Sequence, residues 1–235
     1  DSCFLSNAEA GVHGRALPPG RYDRIAVAAP GEVLVTGHGK VTLYSGGRAH
    51  SLAFAGGPVR VVKASGEVFY LATDSAVYAL TGGRLRLLCR ATGLRDLVPG
   101  KGVLYLGRRD GYWGVSTRTG DSALSLHTAL PAGGITHLAI AGGDLWAATA
   151  GGAFRERAPG RYDYFASRRW LDADSIVSMA ADRSGNVYLL SASGLNEIRF
   201  QDETLHAKAF DFERLIRRRH IRYGLLAETR MKVPG

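Results

Sequence analysis

Short apolar runs that alternate with polar residues recur along most of the chain. Five segments share one order of residue types: an alternating apolar run, a small or polar residue, two turn residues, a glycine or alanine, and a second apolar run. They are VLVTGHGKV (33–41), YLATDSAVY (70–78), YLGRRDGYW (105–113), WAATAGGAF (146–154) and YLLSASGLN (188–196). Because a period of two is typical of half-buried strands, each segment predicts two β-strands joined by a tight turn.

The five segments follow one another at a regular distance. With Thr36, Thr73, Arg108, Thr149 and Ser191 as equivalent positions, the spacings are 37, 35, 41 and 42 residues. A further apolar run precedes each segment and another follows most of them, so each unit offers three or four short strands. A four-stranded sheet repeated around an axis has this period. The sequence therefore predicts an all-β fold, a β-propeller of about five visible four-stranded blades, with a β-sandwich as the alternative.

Two of the units have the form of a known repeat. The segments GGDLWAATAGGAFRE (142–156) and SGNVYLLSASGLNEIRF (184–200) resemble the two-component regulator propeller repeat, in which a glycine turn and an aromatic-aliphatic strand precede Thr-x-x-Gly. Trp146, Thr149 and Gly152 match this repeat, whereas Arg108 replaces the usual small residue in the third unit. The resemblance spans about residues 25–200 and implies the fold, while such propellers occur in sensors, in extracellular enzymes and as recognition modules.

The ends of the chain depart from the repeat. We expect an N-terminal segment or closing strand at residues 1–24, the propeller repeats at 25–205, and a C-terminal helix and linker at 206–235. Five units fit either a closed ring or the last part of a larger ring, and the larger ring is favoured. Because the chain begins with Asp1, we expect a processed or truncated product.

The C-terminal helix is predicted from its capping pattern. Asp211 is a favourable N-cap, and the basic run 217–220 falls in the last turn, where the helix dipole favours cations. The stretch RHIRYGLLAETRMKVPG (219–235) resembles the junction of secreted proteins in which such a propeller leads into a helical toroid of the carbohydrate-active kind. This resemblance implies a following helical domain, which makes the basic run a helix end or an interface before it is a binding site.

Composition narrows the choice of partners. The 30 basic and 21 acidic side chains give a net charge of +9, which favours an anionic partner or surface. Nucleic acid is disfavoured, since the basic residues are dispersed and no recognition helix or RNA-binding motif is present. No apolar run approaches the ~18 residues of a membrane span. Cys3 and Cys89 have no metal-ligand spacing, and they either pair or remain thiols.

The known catalytic and cofactor motifs are absent from the sequence. It contains no phosphate-binding Gly-x-x-x-x-Gly-Lys loop, no His-Glu-x-x-His, no Gly-x-Ser-x-Gly and no calcium-binding EF-hand loop. We therefore expect no cofactor and no metal, and the sequence leaves open whether the protein is an enzyme.

The densest chemistry lies in one turn, GRRDGYWG (107–114), which holds Arg108, Arg109, Asp110, Tyr112 and Trp113. In a four-stranded blade this turn lies on the same ring face as the connections between blades. A guanidinium binds a carboxylate bidentately, and the face of an aromatic ring stacks on a sugar. We predict ligand binding by these five residues, with an exposed turn and a surface Arg–Asp pair as the simpler interpretation.

Two histidines extend the candidate site. His38 lies in the corresponding turn of the first unit, and His137 lies in the inner-strand pattern ITHLAIA. His137 faces the central channel as a further ligand-binding residue or is a buried core histidine. If the module is catalytic, a polysaccharide lyase needs a cation for the uronate carboxylate and a group that moves a proton. Arg109, Tyr112 and His38 are the candidates for these roles.

The sequence thus gives two hypotheses of function. In the first, the chain is the propeller module of a carbohydrate-active protein that binds an anionic polysaccharide, and we expect it to be extracellular or periplasmic. In the second, it is a non-catalytic sensor or scaffold that binds a protein partner.

Overall fold

In the computed structural model, the described residues are 22–28, 31–37, 39–46, 48–199, 209, 210 and 213. They contain nineteen β-strands in five antiparallel sheets. The first sheet consists of β1 (Arg24–Val27), β2 (Val33–Gly37), β3 (Lys40–Ser45) and β4 (Arg48–Leu52). The second consists of β5 (Val61–Ser65), β6 (Val68–Ala72), β7 (Ala76–Thr81) and β8 (Arg84–Arg90).

The remaining three sheets follow in chain order. The third consists of β9 (Leu94–Pro99), β10 (Val103–Arg108), β11 (Gly111–Ser116) and β12 (Ser122–His127). The fourth consists of β13 (Ile135–Ala141), β14 (Asp144–Thr149), β15 (Gly152–Ala158) and β16 (Arg161–Phe165). The fifth has three strands within the described residues: β17 (Ile176–Ala181), β18 (Val187–Ser191) and β19 (Gly194–Ile198).

The sheets are arranged as the blades of a propeller. Within each sheet, strands that follow one another in the chain are neighbours and run antiparallel. The first strands of successive sheets also pack on one another, β1 on β5, β5 on β9, β9 on β13 and β13 on β17. These first strands are therefore the inner strands of the blades, and they surround a common axis. The all-β propeller predicted from the spacing of the units is confirmed.

The core consists of separate apolar layers between neighbouring sheets. In β6, Phe69 and Leu71 pack toward the first sheet, whereas Tyr70 and Ala72 pack toward the third. Successive side chains of a strand point to opposite faces, so a middle strand between two other blades is buried on both. Each fully buried leucine or phenylalanine contributes about 1.5–3 kcal/mol of transfer free energy. This explains why the second strands are almost continuously apolar.

In the fourth and fifth sheets, the hydroxyl residue of the repeat holds the turn between the second and third strands. The Oγ1 atom of Thr149 donates to the carbonyl oxygen of Gly152 at 2.8 Å and accepts from the N–H of Gly151 at 3.1 Å. In the fifth sheet the Oγ atom of Ser191 donates to the carbonyl oxygen of Gly194 at 3.1 Å. Both hydroxyl side chains are buried, so in these two sheets the small residue satisfies backbone groups inside the sheet.

The chain divides into two compact units, residues 1–198 and 199–235. In the second unit, Ala209, Phe210 and Glu213 are helical. The predicted N-cap Asp211 and the basic run 217–220 lie outside the described residues. Cys89 is a free, half-buried thiol, and burial raises its pKa. Within the described part of the chain, no helix is both long and apolar enough to cross a bilayer.

Candidate functional site

The turns of the sheets fall on two opposite rims of the propeller. The first rim carries the turns between second and third strands and the connections from one sheet to the next. The second rim carries the turns between first and second strands and between third and fourth strands. This assignment follows from the antiparallel order of the strands in each sheet. It places the turn 108–111 on the first rim, as predicted from the sequence.

The third sheet departs from its neighbours at Arg108. In the pairing of β10 with β11, Arg108 lies opposite Gly111, just as Thr149 lies opposite Gly152 in the fourth sheet. The arginine is 32% exposed, and Asp110 is 63% exposed. The guanidinium Nε and Nη2 atoms each donate to one carboxylate oxygen of Asp110 at 3.2 Å. At the position where the fourth sheet has a buried hydroxyl, the third sheet therefore has a partly exposed charged group.

A tryptophan lies beside this guanidinium. The Arg108 Cζ atom is 5.4 Å from the centroid of the Trp113 ring, within the range of a cation–π contact. The two residues border a depression of about 250 Å³ between the outer strands of the third sheet. Its other lining residues come from β12, and they are Ser122, Leu124, Ser125 and Leu126. This volume is below the ~300–1,000 Å³ of most small-molecule pockets, so it can hold one ring-sized group or one end of a longer ligand.

Arg109 presents a second guanidinium on the same turn. Its side chain is exposed, and its carbonyl oxygen accepts a hydrogen bond from the N–H of Gly134 at 2.9 Å. That backbone bond ties the turn to the connection between the third and fourth sheets. Among the described residues, no carboxylate lies within 4.0 Å of its guanidinium. Arg109 can therefore pair with an external anion without breaking an internal ion pair.

Tyr112 lies on the opposite face of the third sheet from Trp113. It is fully buried, its ring stacks on His127, and its hydroxyl is 3.2 Å from that of Tyr162. Burial, followed by the hydrogen bond to Tyr162, raises the pKa of Tyr112 well above its ordinary value. Adjacent strand residues point to opposite faces, which separates Tyr112 from the depression. Tyr112 therefore lies in the core. The alternation of side chains along the strand could have predicted that Tyr112 and Trp113 lie on opposite faces.

The histidines are not brought to the depression. His137 lies on β13, the inner strand of the next sheet, with its Nδ1 atom buried and without a hydrogen-bond partner. Burial lowers the pKa of His137, while the nearby Asp96 carboxylate raises it and Lys63 lowers it. His137 therefore belongs to an inner polar cluster near the axis. His38 lies outside the described residues.

Sequence reasoning did not identify the residues of β12 in this depression. Ser122 and Ser125 lie on the edge strand of the third sheet, whose pairing with β11 shifts register twice. The irregular register decides which β12 side chains reach Trp113. The sequence of β12 contains no turn motif or charge cluster that indicates this, so the signal arises only in the folded sheet.

The fold and the site can now be set against known proteins. The sequence matches no protein-family model and no curated protein. Among solved structures, it is similar to the extracellular domain of the one-component system BT4673 from B. thetaiotaomicron, with a TM-score of 0.62 and 15% identity over 79% of this chain and 28% of that domain. It is also similar to PorZ, a surface component of the type-IX secretion system of Porphyromonas gingivalis, with a TM-score of 0.61 and 14% identity over 89% of this chain and 36% of that one.

A third similar structure is itself a β-propeller. The WD40 β-propeller domain of Doa1 has a TM-score of 0.58 and 17% identity over 77% of this chain and 63% of that domain. The similarity to the Doa1 domain agrees with the β-propeller fold, and all three identities are too low to transfer a function. The chain spans under a third of the BT4673 domain, the first of these structures.

Proposed function

We propose that this chain is the ligand-recognition propeller of an extracellular or periplasmic protein, and that it binds an acidic polysaccharide at the depression beside Arg108 and Trp113. The single observation that carries the proposal is Arg108 itself. A repeat that buries a hydroxyl in the fourth and fifth sheets has an arginine at that position in the third. Departures from a structural rule tend to occur where function requires them. The extracellular location is supported by the similarity to the BT4673 domain.

The chemistry of the depression suits a uronate or a sulfated sugar. Trp113 offers a partly exposed ring face, and the hydroxyls of Ser122 and Ser125 offer hydrogen bonds to sugar hydroxyls. To bind an acidic group of the ligand, Arg108 breaks its ion pair with the exposed Asp110 and pairs with the ligand instead. Arg109 adds a second guanidinium that pairs with no carboxylate among the described residues. Charge-assisted bonds of this kind are stronger than those between neutral groups.

Binding is tested with an oligogalacturonate, using its methyl-esterified form as a neutral probe of the same shape. We expect the double variant Arg108→Ala/Arg109→Ala to lose at least tenfold in affinity for the acidic probe in calorimetric titration. The matched control is Arg48→Ala/Arg161→Ala, which removes two exposed arginines of the second rim and leaves the depression intact. Equal affinities of the wild type and the Arg108/Arg109 variant would overturn the proposal.

The proposal concerns recognition rather than lyase chemistry. No histidine or tyrosine is among the described residues that line the depression. Tyr112, a candidate for moving the proton, is buried on the other face. Release of an unsaturated uronate product from the oligogalacturonate would show turnover and would require another proton-transfer group.

A second candidate function is protein binding by the two terminal sheets. Ile25 and Val27 in β1 are 62% and 64% exposed, and Leu195 in β19 is 62% exposed. Aliphatic side chains that stay exposed on a sheet face favour a packing partner. In this alternative, hydrogen exchange with a bound partner protects β1 or β19, and Leu195→Lys abolishes that protection. Glycan binding that persists in Leu195→Lys distinguishes the two functions.

A further inference from the structure

A second charged feature lies on the second rim, at the seam between the second and third sheets. Arg84 and Arg86 from β8 and Arg118 from the turn 117–121 border a pocket of about 420 Å³. Its remaining lining residues are Val68, Tyr70, Ala79, Thr81 and Thr117. This pocket is larger than the depression beside Trp113 and lies on the opposite rim.

The strand register explains why two of the arginines converge. Tyr70 pairs with Ala79, and Ala79 pairs with Arg86, so the three side chains form one cross-strand row. Arg84 lies two residues from Arg86 on β8 and therefore points to the same face. That face looks toward the third sheet. Tyr70 and Ala79 are buried and form the apolar floor, while the exposed arginines form its outer wall.

The third sheet holds the opposite wall in place. The Oγ atom of Ser116 accepts hydrogen bonds from the N–H groups of Arg118 and Thr119, each at 3.3 Å. The N–H of Thr117 also donates to the carbonyl oxygen of Gly102 at 3.0 Å. These bonds fix the backbone of the turn that carries Arg118, so the third arginine projects from an ordered support.

Arg86 connects the two walls. Its Nη2 atom donates to the carbonyl oxygen of Thr117 at 3.3 Å, which leaves other N–H groups of the fork for a ligand. Tyr70 lies close by: burial raises its pKa, whereas a hydrogen bond with Thr117 and the charge of Arg86 act in the opposite direction. The tyrosine hydroxyl is thus at the same end of the pocket as the guanidinium groups.

Within the described part of the chain, no carboxylate pairs with the arginines of this pocket. Among the described residues, no carboxylate lies within 4.0 Å of Arg84, Arg86 or Arg118. Other arginines of the propeller, such as Arg60 and Arg155, have an aspartate partner. Three like charges around one pocket raise its positive potential and attract anions. Forks that approach from two walls suit acceptors that point in several directions, which a tetrahedral oxyanion has and a planar carboxylate lacks.

We propose that the pocket between Arg84, Arg86 and Arg118 binds the sulfate or phosphate group of a small organic ligand, whose body lies on the floor formed by Tyr70 and Ala79. The site is separate from the one beside Arg108 and does not depend on it. A sulfated sugar and a phosphorylated sugar share this chemistry, and the experiment distinguishes them.

The probes are glucose 6-sulfate, glucose 6-phosphate, glucuronate and glucose, measured by calorimetric titration against the whole chain carrying Arg108→Ala/Arg109→Ala, so that binding at the depression beside Trp113 does not contribute. We expect one of the two tetrahedral anions to bind at least tenfold more tightly than glucuronate, and glucose not to bind. Tighter binding of the sulfate identifies a sulfated ligand, and tighter binding of the phosphate identifies a phosphorylated one. Equal binding of glucuronate, or saturable binding of none of the anions, would overturn the proposal.

Single variants locate the site. Arg84→Gln, Arg86→Gln and Arg118→Gln are each expected to weaken the binding of the preferred anion about tenfold. Arg161→Gln is the matched control, since Arg161 is exposed on the same rim but outside the pocket. Arg84 and Arg118 keep the test valid if the loss of the Arg86 bond to Thr117 disturbs folding. An equal loss in Arg161→Gln, or an unchanged affinity in all three variants, contradicts the assignment. These variants are made in the Arg108→Ala/Arg109→Ala protein, so the two sites fail or succeed separately.

Discussion

The turns 108–111 and 149–152 occupy the same position in neighbouring sheets and are built differently. In the fourth sheet, Thr149 is fully buried and its hydroxyl bonds to Gly151 and Gly152. In the third sheet, Arg108 takes that position, pairs with Asp110 and lies beside Trp113. In the fourth sheet the side chain stabilises the backbone of its own turn. In the third sheet the side chain is a partly exposed guanidinium that can contact a ligand.

The difference indicates what each turn contributes. A buried hydroxyl that bonds to backbone groups contributes to stability, and leaving those groups unsatisfied is costly. An exposed Arg–Asp pair contributes little, since such pairs are worth about 0–1 kcal/mol. The third sheet therefore gives up a stabilising bond at a position where the fold accepts one. We infer that Arg108 is present for a ligand rather than for the fold.

The largest expected effect is on the stability of the fourth turn. Thr149→Val keeps the shape of the side chain but removes the hydroxyl, so the bonds to Gly151 and Gly152 are lost. We expect the free energy of unfolding to fall by about 1–3 kcal/mol, measured by urea denaturation. Thr149→Ser keeps the hydroxyl and serves as the control, with a smaller loss. A Thr149→Val protein as stable as the wild type would remove the structural half of the comparison.

The second-largest expected effect is on ligand affinity, and it distinguishes stacking on Trp113 from the charge of Arg108. Trp113→Leu keeps an apolar side chain but removes the ring face. We expect the affinities for the oligogalacturonate and for its methyl ester to fall together by about tenfold, because both probes have the same sugar rings and lose the same indole face. Calorimetric titration measures both, and thermal unfolding checks the fold. If only the acidic probe is affected, Trp113 acts through Arg108 and does not contact the sugar.

The smallest expected effect is that of the internal carboxylate. Asp110→Asn removes the anion that competes with a ligand for Arg108. We expect a two- to fivefold gain in affinity for the acidic probe, with stability changed by no more than about 1 kcal/mol, as for other exposed pairs. A drop in affinity would mean that Asp110 itself bonds to the ligand.

Most of the fold could be predicted from the sequence, because strands and tight turns are determined by residues that are neighbours in the chain. The regular spacing from Thr36 to Ser191 predicted the units, and the strands formed where the apolar runs predicted them. The fifth unit has only three strands within the described residues. The helix predicted from Asp211 lies mostly outside them.

The candidate site was only partly accessible. Arg108, Asp110 and Trp113 lie together, since they belong to one turn and its flanking strands, and their binding role stays a prediction. Tyr112 was grouped with them by proximity in sequence, although a strand separates adjacent residues onto two faces. The pocket near Arg86 and Arg118 joins residues from two sheets, and no local pattern reveals a contact of that kind.

The most direct test of the central claim converts the third turn to the form of its neighbours. Arg108→Thr is expected to leave the free energy of unfolding within about 0.5 kcal/mol of the wild type or to raise it, because the new hydroxyl can bond to Gly111. The same protein is expected to lose about tenfold or more in affinity for the oligogalacturonate and little for its methyl ester. A variant that is clearly less stable and binds the acidic probe as tightly as before would show that Arg108 serves the fold and not a ligand.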